Sequence, residues 1–336
     1  MFSDEIRAAL EREIVGQADA IHSVVQGVTR VLSGLMPRER TWCSFMFLGP
    51  SGTGKTQLIQ TLAKTLHGEG GGLYVADCTH YAHADPWAAF VSQLLPMFSI
   101  PGRHENAMVL EAPRLSIVLV EYLERGRKEV PKALAVALET GRMPLPGGRL
   151  GSLRDCLIFL TTTLCAREIL EESPRIGFQA IAEAELESER ERIYKLCQAQ
   201  AAEQFGEDLL GRLDSLVVFH RLQEHHLARI LERRFDRMSR WLEQRGVRCE
   251  LSEAARTFLV EKGGADLKFG ARDFVRAHRR FVEFPLADLL VSGGLPPGSS
   301  VVVDRQAGED RLHLTVSRRP AAVCSSSEVP VVWEPA

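Results

Sequence analysis

Eight consecutive residues restrict this chain more than any other feature: Gly49, Pro50, Ser51, Gly52, Thr53, Gly54, Lys55 and Thr56. They match the pattern G-x-x-x-x-G-K-[ST] in full. The apolar run SFMFLGP precedes them, as a buried strand would. After them Leu58, Leu62 and Leu66 recur on one helical face. Glycines let the backbone curl so that successive N–H groups point at phosphates, and a helix N-terminus adds its partial positive charge. Lys55 would then reach the β- and γ-phosphates of a nucleotide, and the Thr56 hydroxyl would ligate Mg²⁺. The chain must therefore build a strand, a glycine loop and a helix in that order.

Further apolar runs follow the same logic. LYVAD (73–77), LSIVLVEYL (115–123), CLIFLTTT (156–163) and LDSLVVFH (213–220) read as strands. Strands without polar alternation, separated by helical patterns, indicate an α/β fold: a parallel sheet between helices. Residues 4–35 read as helical with a break at Gly16. The length of 336 residues allows about two domains. Composition shifts near residue 221, and 221–280 carries 15 Lys/Arg against 9 Asp/Glu. We expect domain one over 1–220, a smaller α+β domain over 221–316, and a disordered tail over 317–336. The tail has Ser and Pro clusters and no periodicity.

Charge and cysteines narrow the class. The net charge of −3 argues against a dedicated nucleic-acid binder, and the basic stretch after 221 reads as a solvated helix face. The seven cysteines are scattered and never spaced C-x-x-C, which fits reduced thiols in the cytoplasm. No run of 18 apolar residues suggests a membrane span, and the start has no signal-peptide core.

A nucleotide-hydrolysing site also needs an acid for Mg²⁺ and a carboxylate to activate water. The strand ending Val120-Glu121-Tyr122 supplies Glu121 as the metal acid. Tyr122 follows, and a phenol cannot act as general base near neutral pH. Glu124 lies one turn onward, where it could swing in or make a surface ion pair. A register shifted by one would instead make Glu121 the catalytic acid and put Val120 on the metal.

With these residues in view, the chain resembles the C-terminal ATPase module of the Clp chaperone/unfoldase family of AAA+ proteins, over roughly residues 10–316. Ile14-Val15-Gly16-Gln17 resembles the segment that frames adenine, with Val15 beside the base. Asp77–Tyr81, Leu138–Arg142, Leu209–Asp214 and Phe269–Arg272 resemble further family motifs in the same order. The fold implied is a P-loop AAA+ domain followed by a small α+β lid. The resemblance implies that Arg212 is an arginine finger projecting into a neighbour's site, and that Arg272 contacts nucleotide from the small domain. It also implies ATP and Mg²⁺ as cofactors, protein substrates, and a homo-oligomeric ring, a hexamer. The length fits one ring module and leaves no room for a second ring or an N-terminal adaptor domain.

Four departures and additions matter. The family ends this strand in Asp-Glu; here Glu121 and Tyr122 stand there. Sensor 1 is normally Asn; here it is Thr163 in Thr161-Thr162-Thr163-Leu164. Two such losses imply ATP binding with slow or absent hydrolysis. The pore loop of the family is replaced by Pro96-Met97-Phe98-Ser99, where Met97 and Phe98 could grip polypeptide or belong to the core. Ile176-Gly177-Phe178 resembles the tripeptide with which some Clp unfoldases dock on a ClpP-like peptidase, and also suits an ordinary turn. Two functions stay open: a protein-remodelling ATPase with weakened hydrolysis, or a nucleotide-binding regulatory or scaffold subunit without turnover.

Overall fold

The computed structural model describes residues 2–34, 41–80, 86–98, 109–171, 183–264, 270–306, 308–318 and 329–331. The chain divides into two compact units, Met1–Arg221 and Leu222–Ala336.

The first unit opens with α1 (Phe2–Glu13) and α2 (Ala18–Leu32), and Gly16 at φ 75° makes the break between them. It continues with β1 (Cys43–Leu48), α3 (Lys55–His67), β2 (Leu73–Asp77), α4 (Pro86–Phe98), β3 (Val109–Glu111) and β4 (Ser116–Glu121). Then come α5 (Glu129–Thr140), β5 (Arg142–Pro144), β6 (Leu150–Ser152), β7 (Cys156–Thr161), α6 (Ala166–Glu171), α7 (Glu183–Phe205), α8 (Glu207–Leu210) and β8 (Ser215–Val218). Five strands form one parallel sheet in the order β2-β4-β7-β1-β8. The short β3, β6 and β5 form a separate three-stranded sheet.

Alternation along the strands divides the core into two layers. Phe45, Phe47, Ile117, Leu119, Leu157, Phe159, Val217 and Phe219 pack with Leu10, Val24, Val28, Leu58 and Leu62 of α1–α3. Met46, Leu48, Val118, Val120, Ile158 and Leu160 pack with Phe90, Leu94, Leu134, Leu138, Cys197 and Ala201 of α4, α5 and α7. Both faces are covered, so β1 and β7 are buried at every residue and read as unbroken apolar runs. The first layer is strongly aromatic: Phe159 stacks on Phe45 at 5.0 Å between centroids and meets Phe47 edge-on at 5.5 Å.

Met97 and Phe98 belong to this core. They end α4, are 0% and 6% exposed, and join the second layer. The Phe98 ring fills the space in front of Gly151, where a Cβ would lie 2.5 Å from it. Of the two readings of these residues from sequence, this packing supports the core one.

The second unit contains α9 (Glu224–Glu243), β9 (Arg248–Leu251), α10 (Glu253–Gly264), α11 (Ala271–His278), α12 (Phe284–Val291), β10 (Ser299–Asp304), β11 (His313–Arg318) and β12 (Val329–Val331). Its sheet runs β12-β11-β10-β9, with β9 parallel to β10 and the other pairs antiparallel. Leu227, Leu231, Phe258, Phe274, Val282, Val301 and Val303 form its own core. A π-helical turn, Arg279–Glu283, joins α11 to α12. It lets Glu283 accept from buried His278 at 3.0 Å and pair with Arg234 at 2.8 Å. Burial lowers the His278 pKa.

The expected tail is in part strand. β11 runs on to Arg318, and Val329–Val331 adds an antiparallel strand to it. Valines flanking a proline suit an edge position, where the missing N–H costs no ladder bond. Among the described residues no helix is long and apolar enough to cross a membrane.

Candidate nucleotide site

Parallel strands bring their C-terminal ends to one edge of the sheet. The loop after β1, Glu121 at the end of β4 and Thr161–Thr163 at the end of β7 therefore meet there. Gly49 leaves β1 at φ 126°, and a Cβ on it would lie 2.4 Å from the Phe219 carbonyl oxygen. Only glycine fits that backbone approach. Gly54, at φ 107°, precedes α3 without a side-chain cap. The N–H groups of the first turn of α3 thus face the loop rather than a capping side chain. The Thr53 hydroxyl donates to Pro50 O at 2.9 Å and fixes the bend between Ser51 and Gly52.

Lys55 is buried, and its ammonium donates to Gly49 O at 2.6 Å and Pro50 O at 2.7 Å. The cation is held over the loop it must serve. Thr56 donates its hydroxyl to Glu121 Oε1 at 2.6 Å. This joins the two candidate Mg²⁺ ligands across 65 residues of chain. A hydroxyl beside a carboxylate oxygen is the hard oxygen donor set that Mg²⁺ takes, so these residues fit the ion. Val120 is fully buried among apolar side chains.

The segment after α1 closes one flank. Ile14 and Val15 are each 5% exposed. Gln17 makes a two-way amide pair with His220, donating to its carbonyl at 2.8 Å and accepting from its N–H at 3.1 Å. Gln57 of α3 donates to Glu13 O at 3.3 Å. Val15 is thus fixed between the end of β8 and the start of α3. The Gln17–His220 pair spans 203 residues, and nothing in the local sequence announces it.

Tyr122 adopts φ 54° and its ring lies under Arg125, 4.9 Å from the guanidinium carbon. Among the described residues Glu124 makes no surface ion pair of the kind considered from sequence. Its Oε1 accepts from the Thr163 hydroxyl at 2.6 Å and from the Thr163 N–H at 3.2 Å. Burial first, then the charges of Asp77 and Glu124, push the Cys78 thiol up to about 12.

Arg212 lies at the opposite edge of the sheet. Asp214, two residues on, accepts from Ser44 N at the start of β1. Ser44 and Gly49 are separated by about 16 Å of strand at ~3.3 Å per residue. Arg212 pairs with Glu139 at 2.9 Å and Asp208 at 3.3 Å, and the Glu139 hydrogen bond raises its pKa. It is therefore not assembled with Lys55, Thr56 and Glu121 of its own chain. Arg272 is exposed at the second residue of α11 in the second unit. Ile176, Gly177 and Phe178 lie outside the described residues.

Strand, glycine loop, buried lysine and a threonine joined to a strand-end acid define a P-loop α/β domain. Residues 40–216 match the family model of the AAA domain of the Cdc48 subfamily, and residues 222–303 match that of the C-terminal D2-small domain of ClpB protein. The chain belongs to the AAA+ ATPases, as a Clp-type second ATPase module with its small C-terminal domain. It is 30% identical over 302 residues to the chaperone protein ClpB of Rhodopseudomonas palustris, covering 89% of this chain and 32% of that one. It is 29% identical over 303 residues to the negative regulator of genetic competence ClpC/MecB of Bacillus subtilis, covering 89% and 36%. With the ATP-dependent Clp protease ATP-binding subunit ClpC of Staphylococcus saprophyticus it shares 27% over 322 residues, covering 95% and 38%. The chain thus spans about a third of the length of these relatives.

Proposed function

We propose that this protein binds ATP with Mg²⁺ and couples slow ATP hydrolysis to the remodelling of protein substrates. The Thr56–Glu121 hydrogen bond carries this reading, since it brings the loop and the strand-end acid together in the register that makes Glu121 the metal acid. Gly49 to Gly54 would cradle the phosphates, Lys55 would meet the β- and γ-phosphates, and Val15 would frame the base. Thr56 and Glu121 would hold Mg²⁺, which neutralises charge developing on the phosphates. Arg272 would reach the nucleotide from the small domain.

The position of Arg212 supports a ring. At the far edge of the sheet it cannot serve its own loop, so a neighbouring chain is its natural target. A homo-hexamer is the assembly implied by the sequence resemblance to the Clp family. Light scattering should show a particle of several chains with ATP and Mg²⁺; a mass that stays at one chain would contradict the arginine-finger role.

A second reading, a nucleotide-binding regulatory subunit without turnover, is favoured by one observation: the Tyr122 ring is turned to Arg125, so position 122 offers no carboxylate. Steady-state turnover of purified protein separates the two. A rate near or above about 1 s⁻¹, at the low end of usual enzyme rates, sinks the regulatory reading. Tight ATP binding with no turnover sinks the motor reading. The double variant Tyr122→Glu with Thr163→Asn should raise the rate tenfold or more, as a restored general base does; an unchanged rate would mean that these positions do not limit hydrolysis. Docking on a ClpP-like peptidase through Ile176-Gly177-Phe178 and residence in the cytoplasm are part of the same proposal. They rest on sequence resemblance, and on the relative named as an ATP-binding subunit of a Clp protease.

A further inference from the structure

Glu124 sits in the turn Leu123–Arg125 that follows β4, three residues past Glu121. Its Oε1 receives both donors of Thr163, the N–H and the hydroxyl. A threonine hydroxyl that gives its proton to a carboxylate keeps both lone pairs as acceptors. Those lone pairs belong to the residue next to Thr162, whose N–H bonds Phe47 O of β1. Thr163 therefore stands at the sheet edge where the phosphate loop begins. The other oxygen, Glu124 Oε2, is buried and has no hydrogen-bond partner among the described residues. A buried acceptor oxygen left without a donor costs stability, so holding the loop does not by itself explain a carboxylate at this position. At 2.6 Å the Thr163 hydroxyl and Glu124 Oε1 are within proton-transfer distance of each other.

We propose that Thr163 and Glu124 form a two-member proton relay that replaces the missing acid at position 122. This rests on the reading of the site as one that hydrolyses ATP. A water molecule donates a hydrogen bond to Thr163 Oγ1 and attacks the γ-phosphorus. Its proton passes to Thr163 Oγ1 as the original Thr163 proton passes to Glu124 Oε1. The new bond joins the water oxygen to phosphorus. The bond from phosphorus to the β–γ bridging oxygen breaks, and its electron pair leaves with ADP. Glu124 then returns its proton to solvent through Thr163. Thr163 is the catalytic residue that touches the attacking water, and Glu124 acts through it. A hydroxyl relay is longer than a carboxylate placed directly on water, which accounts for slow rather than absent turnover.

Glu124→Gln tests this directly. The glutamine carbonyl still accepts from both Thr163 donors, but the amide cannot take a proton. The relay predicts a fall in kcat of about 10²–10⁴, the usual worth of general base catalysis, with KM and ATP affinity within about twofold. A role confined to holding the loop predicts unchanged kcat. Thr163→Val should lose turnover to the same extent while Thr163→Ser keeps most of it. Melting temperature and binding of a fluorescent ATP analogue check that each variant is folded. Wild-type kcat in Glu124→Gln or in Thr163→Val overturns the relay. So does a wild-type protein that binds ATP and never hydrolyses it, an outcome that leaves nucleotide binding intact. A wild-type protein that binds no ATP instead overturns the underlying functional reading, and the relay with it.

Discussion

Lys55→Ala should weaken ATP binding by roughly 10- to 150-fold, the equivalent of the ~1.5–3 kcal/mol carried by one charge-assisted hydrogen bond. Two effects add at this position. The ammonium that would face the β- and γ-phosphates is removed. The carbonyls of Gly49 and Pro50 also lose the donor that now holds them at 2.6 and 2.7 Å, so the loop loses part of its fixed shape. Titration with a fluorescent ATP analogue measures the first effect. Lys55→Arg separates it from the second, because it keeps a charge without the single-point reach of an ammonium. Affinity unchanged in Lys55→Ala would mean that nucleotide does not bind at this loop.

Phe159→Ala should destabilise the first unit by about 3–5 kcal/mol, the usual range for deleting a fully buried phenylalanine. Phe159 is 0% exposed, lies in the middle of β7, and touches Phe45 and Phe47 at the centre of the sheet. Strands β4 and β1 flank it on either side, so the surroundings have little freedom to collapse into the cavity. Equilibrium denaturation in urea measures the loss. A change under about 1 kcal/mol would show that the aromatic layer relaxes far more than its packing implies.

The sheet was legible in the sequence because its inner strands are covered on both faces. Cys43–Leu48 and Cys156–Thr161 hold no polar alternation, and a run of that kind has few alternatives next to turn signals. The phosphate loop was legible because its residue types are dictated by backbone geometry, as Gly49 shows. Short apolar runs away from the sheet were harder. LLPMF reads equally well as a binding surface or a helix end, and only tertiary packing puts Met97 and Phe98 in the core. Val329–Val331 lacked any local partner, and its strand exists through pairing with β11.

The site divided along the same line. Residues that act through their own loop, Lys55 and Thr56, were marked by spacing. The distant partners of Glu124 and Arg212, both residues named from the sequence, were not. Glu124 meets Thr163 across 39 positions, and Arg212 meets Glu139 across 73. Those contacts are created by strand order, which a linear pattern does not carry.

The opposite placement of Arg212 and the phosphate loop gives each chain a direction. With the proposed arginine-finger role, one edge of the sheet would receive and the other donate, so a pair of chains facing each other through the same surface would satisfy neither. Only head-to-tail contacts match a donor to a receiver, and such contacts either close on themselves or extend as a filament. In the closed ring proposed here every nucleotide would be shared property: the chain that grips it and the chain that completes its chemistry would be different copies. A defect at Arg212 would then be felt next door, while a defect at Lys55 would be felt at home.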